Sequence, residues 1–322
     1  MKYTAFNPPA LLRNAYLQSI LSSNAIRAPR KNPVIDVEQE IIVDGGNGVR
    51  LLGLYSPQRS GTSKGLIIFL HGWEGSASSV YILSSGCFFF HAGYDIFRLN
   101  LRDHGESHYL NKGLFLGTLI DEAFHSVQEI ARLTKRNVFL AGYSMGGNFA
   151  LRIARRCAEE HIGNLRHVAC ISPPLDPHKT TAAVDRDRLF RWYFLRKWKR
   201  SLRKKQELYP SEYNFTDVLK LKSCLEMTDL MLERYTDFSD RQDYFGRYTL
   251  LNDALINIAV PTTIITAEDD PVIPAADFHG LKTNKNTHLI IHRYGGHNGF
   301  IEGYHLGTWY DRELLNIFDE TQ

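Results

Sequence analysis

Gly142-Tyr143-Ser144-Met145-Gly146 sets a serine between two glycines at the end of the apolar run NVFLAGY (residues 137–143). Flanking glycines let a chain turn sharply without a Cβ clash, so a serine at the tip stands clear with its hydroxyl exposed. The N–H of Met145 would then point to where negative charge develops on an attacked carbonyl oxygen. A serine alcohol is a poor nucleophile until a base takes its proton, and thirteen histidines compete for that task. His292 lies inside a predicted strand, and His167 and His288 stand at strand starts, which suits structural or solvated roles. His297 differs, because RYGGHNGF (residues 293–300) places it on a glycine-rich loop just past the last apolar strand.

An imidazole needs a carboxylate to fix its tautomer and to stabilise the imidazolium formed during attack. TAEDDPVIP (residues 266–274) follows the strand before the histidine strand and offers two aspartates. Asp270, directly before Pro271, is the first choice and Asp269 the second, while Pro271 and Pro274 stiffen the loop. A second donor for the oxyanion is expected from IIFLHGWEGS (residues 67–76), where the N–H of Trp73 would join that of Met145. Asp103, His104 and Ser107 in LNLRDHGES (residues 99–107) read as a hydrogen-bonded turn, since no organised ligand spacing for zinc accompanies them.

For these segments to meet, the chain must bring several strand ends to one edge. LIIFL (66–70), YDIFRLNL (94–101), NVFLAG (137–142), HVACIS (167–172), PTTIITA (261–267) and HLIIHRY (288–294) are short and continuously apolar, as strands buried on both faces of a parallel sheet are. Val37, Ile41 and Val43, then GGNG, then Val49, Leu51 and Tyr55 predict an antiparallel hairpin. Helices are expected over residues 145–160 and 308–319, and from Leu119 to Ala131 behind Thr118 as N-cap. This alternation predicts an α/β fold with a mostly parallel, doubly wound sheet. The division expected is an N-terminal extension (1–36), a core (37–175 and 258–322) and a helical cap insertion (176–257). Within the cap, Phe190, Phe194, Trp198 and Leu202 form an i, i+4 ladder among arginines and lysines. Such a helix would close an apolar pocket, lie on an anionic membrane surface through residues 188–205, or simply pack by its aromatic side.

The 322 residues are 43% apolar and 23% charged, ample for a large core. A formal charge of +3 gives no global argument for a nucleic-acid partner. Four scattered cysteines without a C-x-x-C pair suggest neither a zinc nor a redox site and fit a reducing compartment. No signal-peptide core or long apolar run occurs, so a cytoplasmic protein is expected, with surface attachment to a membrane left open.

Taken together, these residues resemble the α/β-hydrolase superfamily from about residue 37 onward. FNPPALLRNAYLQSI, HGWEGS, GYSMGGN, AEDDP and GGHNGF look like the YheT-like hydrolases, bacterial proteins with lipid-hydrolysing eukaryotic relatives. RDHGES departs from the arginine-glycine-rich loop of that subgroup towards the loop of esterases and lysophospholipases. The resemblance implies a triad of Ser144, Asp270 and His297. The expected activity is ester or lipid-ester hydrolysis through an acyl-enzyme, with neither metal nor organic cofactor. Thioester hydrolysis, acyl transfer, or a non-catalytic membrane-binding role on the same scaffold are the alternatives, and the oligomeric state is open.

Overall fold

The computed structural model describes residues 3–29, 31–59 and 61–321. Along the chain run α1 (Ala15–Ser23), α2 (Pro33–Asp36), β1 (Gln39–Asp44), β2 (Arg50–Ser56), β3 (Leu66–Leu70), α3 (Val80–His91), β4 (Asp95–Leu99), α4 (Ile120–Arg132), β5 (Val138–Tyr143), α5 (Met145–Arg156) and β6 (Leu165–Ile171). There follow α6 (Pro177–Arg186), α7 (Arg188–Leu208), α8 (Cys224–Tyr235), α9 (Arg241–Gly246), β7 (Thr262–Ala267), α10 (Ala276–His279), β8 (Thr287–His292) and α11 (Trp309–Glu320).

The eight strands form one sheet in the order β1-β2-β4-β3-β5-β6-β7-β8. β2 pairs antiparallel with β1 and β4, and the remaining neighbours are parallel. The expected hairpin forms: Gly46, Asn47 and Gly48 take φ of 79°, 51° and 79°, backbone that glycine and asparagine tolerate best. Side chains alternate across the sheet, and on β3 Leu66, Ile68 and Leu70 join one apolar core while Ile67 and Phe69 join the other. The first core is closed by α4 and α5 through Phe124, Val127, Phe149 and Ile153. The second is closed by α3 and α11 through Ile82, Phe89, Leu314 and Phe318. Burial on both faces is why the strands read as continuous apolar runs.

Three local expectations are corrected. β8 is not buried on both faces: past Thr287 its residues are half-exposed, because it ends the sheet and lacks a neighbour on one side. Thr118 does not cap α4; Leu119 holds that position with no side-chain bond. Instead Arg152 of α5 donates to the carbonyls of Gly117 (2.6 Å) and Thr118 (3.2 Å), and so fixes the entry to α4 from outside. Helix α3 was not expected, because Ser84, Ser85 and Gly86 interrupt its apolar pattern. Ser85 is nevertheless fully buried and bonded to the Tyr143 hydroxyl at 2.9 Å.

Between β6 and β7 the chain passes through α6 to α9, each begun by a side chain that accepts from its first backbone N–H groups: Asp176, Asp187, Ser223 and Asp240. These helices are fastened to the core by Lys205. Its ammonium is buried and donates to Asp103 Oδ1 (2.7 Å) and to the carbonyls of Asn111 (2.6 Å) and Gly113 (3.0 Å).

The β5–α5 turn is packed directly against backbone. Ser144 takes φ 52° and ψ −121°, and a Cβ on Gly146 would overlap the carbonyl oxygens of Leu70 and His71 on β3 and its following loop. These are backbone atoms of a central strand and have nowhere to go. Gly146→Ala is therefore expected to lower stability by about 3 kcal/mol, the upper end for overpacking, and urea denaturation measures it.

Candidate active site

Because β3, β5, β7 and β8 run parallel, their C-terminal ends share one edge, where ligand crevices of such sheets form. Ser144 follows β5, Trp73 follows β3, Asp270 follows β7 and His297 follows β8. The fold thus gathers all four residues above one rim.

The structure brings the serine, histidine and first-choice aspartate into one chain of hydrogen bonds. His297 Nε2 lies 2.9 Å from Ser144 Oγ, and His297 Nδ1 lies 2.9 Å from Asp270 Oδ2. Asp270 is buried, and its other oxygen accepts from the N–H groups of Val272 (2.8 Å) and Ile273 (2.9 Å). A carboxylate so held accepts the hydrogen bond of Nδ1–H and leaves the Nε2 lone pair facing the serine hydroxyl. Asp269 takes another role: its Oδ1 accepts from Gly296 N–H at 2.9 Å, which shapes the histidine loop without touching the ring. Burial pushes its carboxyl above the usual range.

Trp73 and Met145 carry backbone N–H groups that find no acceptor among the described residues. Met145 opens α5, where the first N–H groups have no partner within the helix and sit at the positive end of its dipole. The loop after β3 approaches closely, since a Cβ on Gly72 would stand 3.2 Å from that of Ser144. Two imidazoles staple that loop to the one after β4. His71 Nδ1 donates to Gly72 O (2.8 Å) and Nε2 accepts from Leu101 N–H (3.1 Å). His104 Nδ1 donates to Arg102 O (2.7 Å) and Nε2 accepts from Glu74 N–H (3.1 Å). Burial holds both neutral, taking His71 well below the ordinary imidazole value and His104 to about 4. Ser107 donates to His104 O at 2.8 Å. Among the described residues no group of three His, Cys, Asp or Glu side chains is placed to hold a metal ion.

A cavity of about 140 Å3 opens beside Ser144, with Trp73 and Met145 in its lining. Phe194, Trp198 and Leu202 of the expected ladder line it, and Trp73 stacks on Phe194 at 5.2 Å and meets Trp198 edge-on at 5.1 Å. The first rung, Phe190, instead stacks on Tyr16 of α1 at 5.9 Å.

Sequence reasoning missed the part played by α1. Ser19 Oγ accepts from His297 N–H at 2.8 Å, and Gln18 accepts from Ile301 N–H (2.8 Å) while donating to Leu12 O (2.6 Å) and Ile301 O (3.1 Å). Ser172, past β6, accepts from Asn298 N–H at 3.2 Å. The available signal was the polar pair Gln18-Ser19 set among Leu17, Ile20 and Leu21, which inverts the usual reading of an amphipathic helix.

Residues 65–304 match the family described as alpha/beta hydrolase fold. Phospholipase ABHD3 of Mus musculus is 23% identical over 282 residues, covering 84% of this chain and 68% of that protein. Among solved structures, the Pyrococcus furiosus esterase Pf2001 covers 98% of this chain and 99% of its own, with a TM-score of 0.55 at 17% identity. The alpha/beta hydrolase GrgF from Penicillium sp. sh18 covers 88% and 98%, with a TM-score of 0.58 at 16% identity. The structural likenesses show a shared fold, and the curated relative supports hydrolase activity in general. With its sheet order, its turn at Ser144 and a family match over most of its length, this chain belongs to the α/β-hydrolase fold family.

Proposed function

We propose that this protein is a serine hydrolase of carboxylic esters, with lipid or other acyl esters as substrates. The observation that carries the reading is the hydrogen-bonded series Ser144, His297, Asp270 beside an apolar cavity. Ser144 Oγ attacks the ester carbonyl carbon as its proton passes to His297 Nε2, and the N–H groups of Trp73 and Met145 hold the oxyanion. Asp270 stabilises the imidazolium, which then protonates the departing alcohol and leaves an acyl group on Ser144. Water, deprotonated by His297, attacks that acyl group, releases the acid and restores the serine. The cavity's aromatic and aliphatic walls suit an acyl chain, and the phospholipase and esterase names of the relatives support this substrate class. A YheT-like subgroup identity and a cytoplasmic setting belong to the same proposal. The four free, buried cysteines support the latter, and none of the described helices is long and apolar enough to cross a membrane.

The test is labelling with a fluorophosphonate together with turnover of p-nitrophenyl esters and acyl thioesters of graded chain length. Wild type is expected to label at Ser144, and Ser144→Ala to lose labelling and about 10⁶ in kcat. Asp270→Asn is expected to lose about 10⁴. Folded wild-type protein that takes no label would overturn the proposal. Faster turnover of thioesters than of esters would move the substrate class.

Glu74 gives the cavity a pH signature. It lines the wall beside Trp73, and burial pushes its carboxyl up to about 8, with Lys197 opposing the shift and Asp103 adding to it. The folded state then holds a proton that the unfolded state releases near 4.5. Its contribution to stability is full below that value and is lost as pH rises through about 8. Urea midpoints followed across that window are expected to fall less steeply in Glu74→Gln than in wild type.

A further inference from the structure

Helix α1 packs with its polar side inward. Gln18, Ser19 and Ser22 are buried, whereas Tyr16 and Ile20, one turn apart on the other side, are 44% and 45% exposed. A surface helix ordinarily does the reverse. The Tyr16 hydroxyl donates to Asp187 Oδ2 at 2.6 Å and its ring stacks on Phe190, so this outward face continues onto the first turn of α7. There Leu189 and Trp192 are 43% and 57% exposed.

From Trp192 the exposed side of α7 runs through Arg196, Arg200 and Arg203. The Arg196 guanidinium lies 5.5 Å from the Trp192 ring centroid. None of these three arginines, nor exposed Arg188, has a carboxylate at ion-pair distance among the described residues. The same helix therefore turns Phe194, Trp198 and Leu202 to the cavity and presents to solvent a tryptophan followed by guanidinium groups without ion-pair partners among the described residues, Arg200 lying within electrostatic reach of Glu106. Apolar side chains anchored by tryptophan and flanked by free cations match the boundary between headgroups and acyl chains of a bilayer whose headgroups are anionic. A second copy of the chain would bring its own arginines to the same stripe in a two-fold pairing, and repulsion opposes that occupant.

We propose that the outward side of α1 (Tyr16, Ile20) and the exposed stripe of α7 (Leu189, Trp192, Arg196, Arg200, Arg203) dock this protein on an anionic lipid surface. The docking deepens the reading of the site as acting on lipid esters and rests on it for its purpose. It also re-addresses the expected membrane contact of residues 188–205, because Phe194, Trp198 and Leu202 face the cavity and the opposite side of the helix faces the lipid.

The experiment is co-sedimentation of the full chain with vesicles of phosphatidylcholine alone or mixed with phosphatidylserine. Wild type is expected to pellet with the mixed vesicles and to be released by salt, since exposed charges are screened. Leu189→Gln with Trp192→Gln is expected to weaken binding at least about tenfold. Arg196→Gln, Arg200→Gln and Arg203→Gln together are expected to weaken it about a hundredfold, at roughly fivefold per cation. All these side chains are exposed, so unfolding temperature and soluble-ester turnover should stay at wild-type values, and Ile20→Gln gives an independent variant on α1. Absence of binding by folded wild type, or undiminished binding by the arginine variant, would overturn the proposal. So would sedimentation equilibrium showing a dimer that these substitutions split, or preferential binding of duplex DNA over vesicles. Vesicle binding without Ser144 labelling would refute the esterase reading and leave docking standing; labelling without vesicle binding would do the opposite.

Discussion

Ser144 sits at φ 52° and ψ −121°, a backbone state that costs an L-residue about 1–3 kcal/mol and persists only where its surroundings over-determine it. The surroundings here are central strands. Ser144 N–H donates to Ile171 O on β6 at 2.8 Å, its carbonyl accepts from Gly147 (2.8 Å) and Asn148 (3.1 Å), and Gly146 abuts the carbonyls of Leu70 and His71. Three neighbouring strands thus fix one hydroxyl. The histidine and aspartate loops are then positioned relative to that point by the parallel register of β7 and β8, since a slip along either strand would separate Nε2 from Oγ.

Helices α6 to α9 are tied into this arrangement rather than laid over it. Trp73 offers a backbone N–H to the site while its ring is clasped by Phe194 and Trp198 of α7, so movement of that helix would tilt the peptide carrying the donor. Lys205 anchors the far end of α7. Removing either partner of the Lys205–Asp103 pair would strand a buried charge, whereas together they fix the helix in one rotational setting. Burial opposes both charges, pushing the Lys205 ammonium down and the Asp103 carboxyl up, and each offsets the cost for the other.

The sheet was legible because burial on both faces leaves short apolar runs, and Ser144, Asp270 and His297 stood out because each follows such a run in a stretch of glycine, proline or acidic residues. Reading failed where packing inverted or ignored hydrophobic period. β8 is as apolar as the inner strands but ends the sheet. Helix α3 buries Ser85 and Gly86, and α1 hides Gln18 and Ser19 to hold a loop distant in sequence. The ladder of α7 was visible as a pattern, yet which side of the helix met the protein depended on Trp73 and Tyr16, residues brought close only by the fold.

One hydrogen bond joins Ser19 to the backbone of His297 across a separation of 278 residues. Ser19 is made before every strand of the sheet, and the backbone it holds comes only after the last of them. The loop bearing the imidazole leaves the ribosome only after β8, so the Ser144 hydroxyl is made 153 residues before the imidazole that it meets in the fold. Under the proposed mechanism a nascent or prematurely released chain would therefore lack its base, and the hydroxyl and imidazole would meet only in the closing step that joins these two distant segments of the polypeptide.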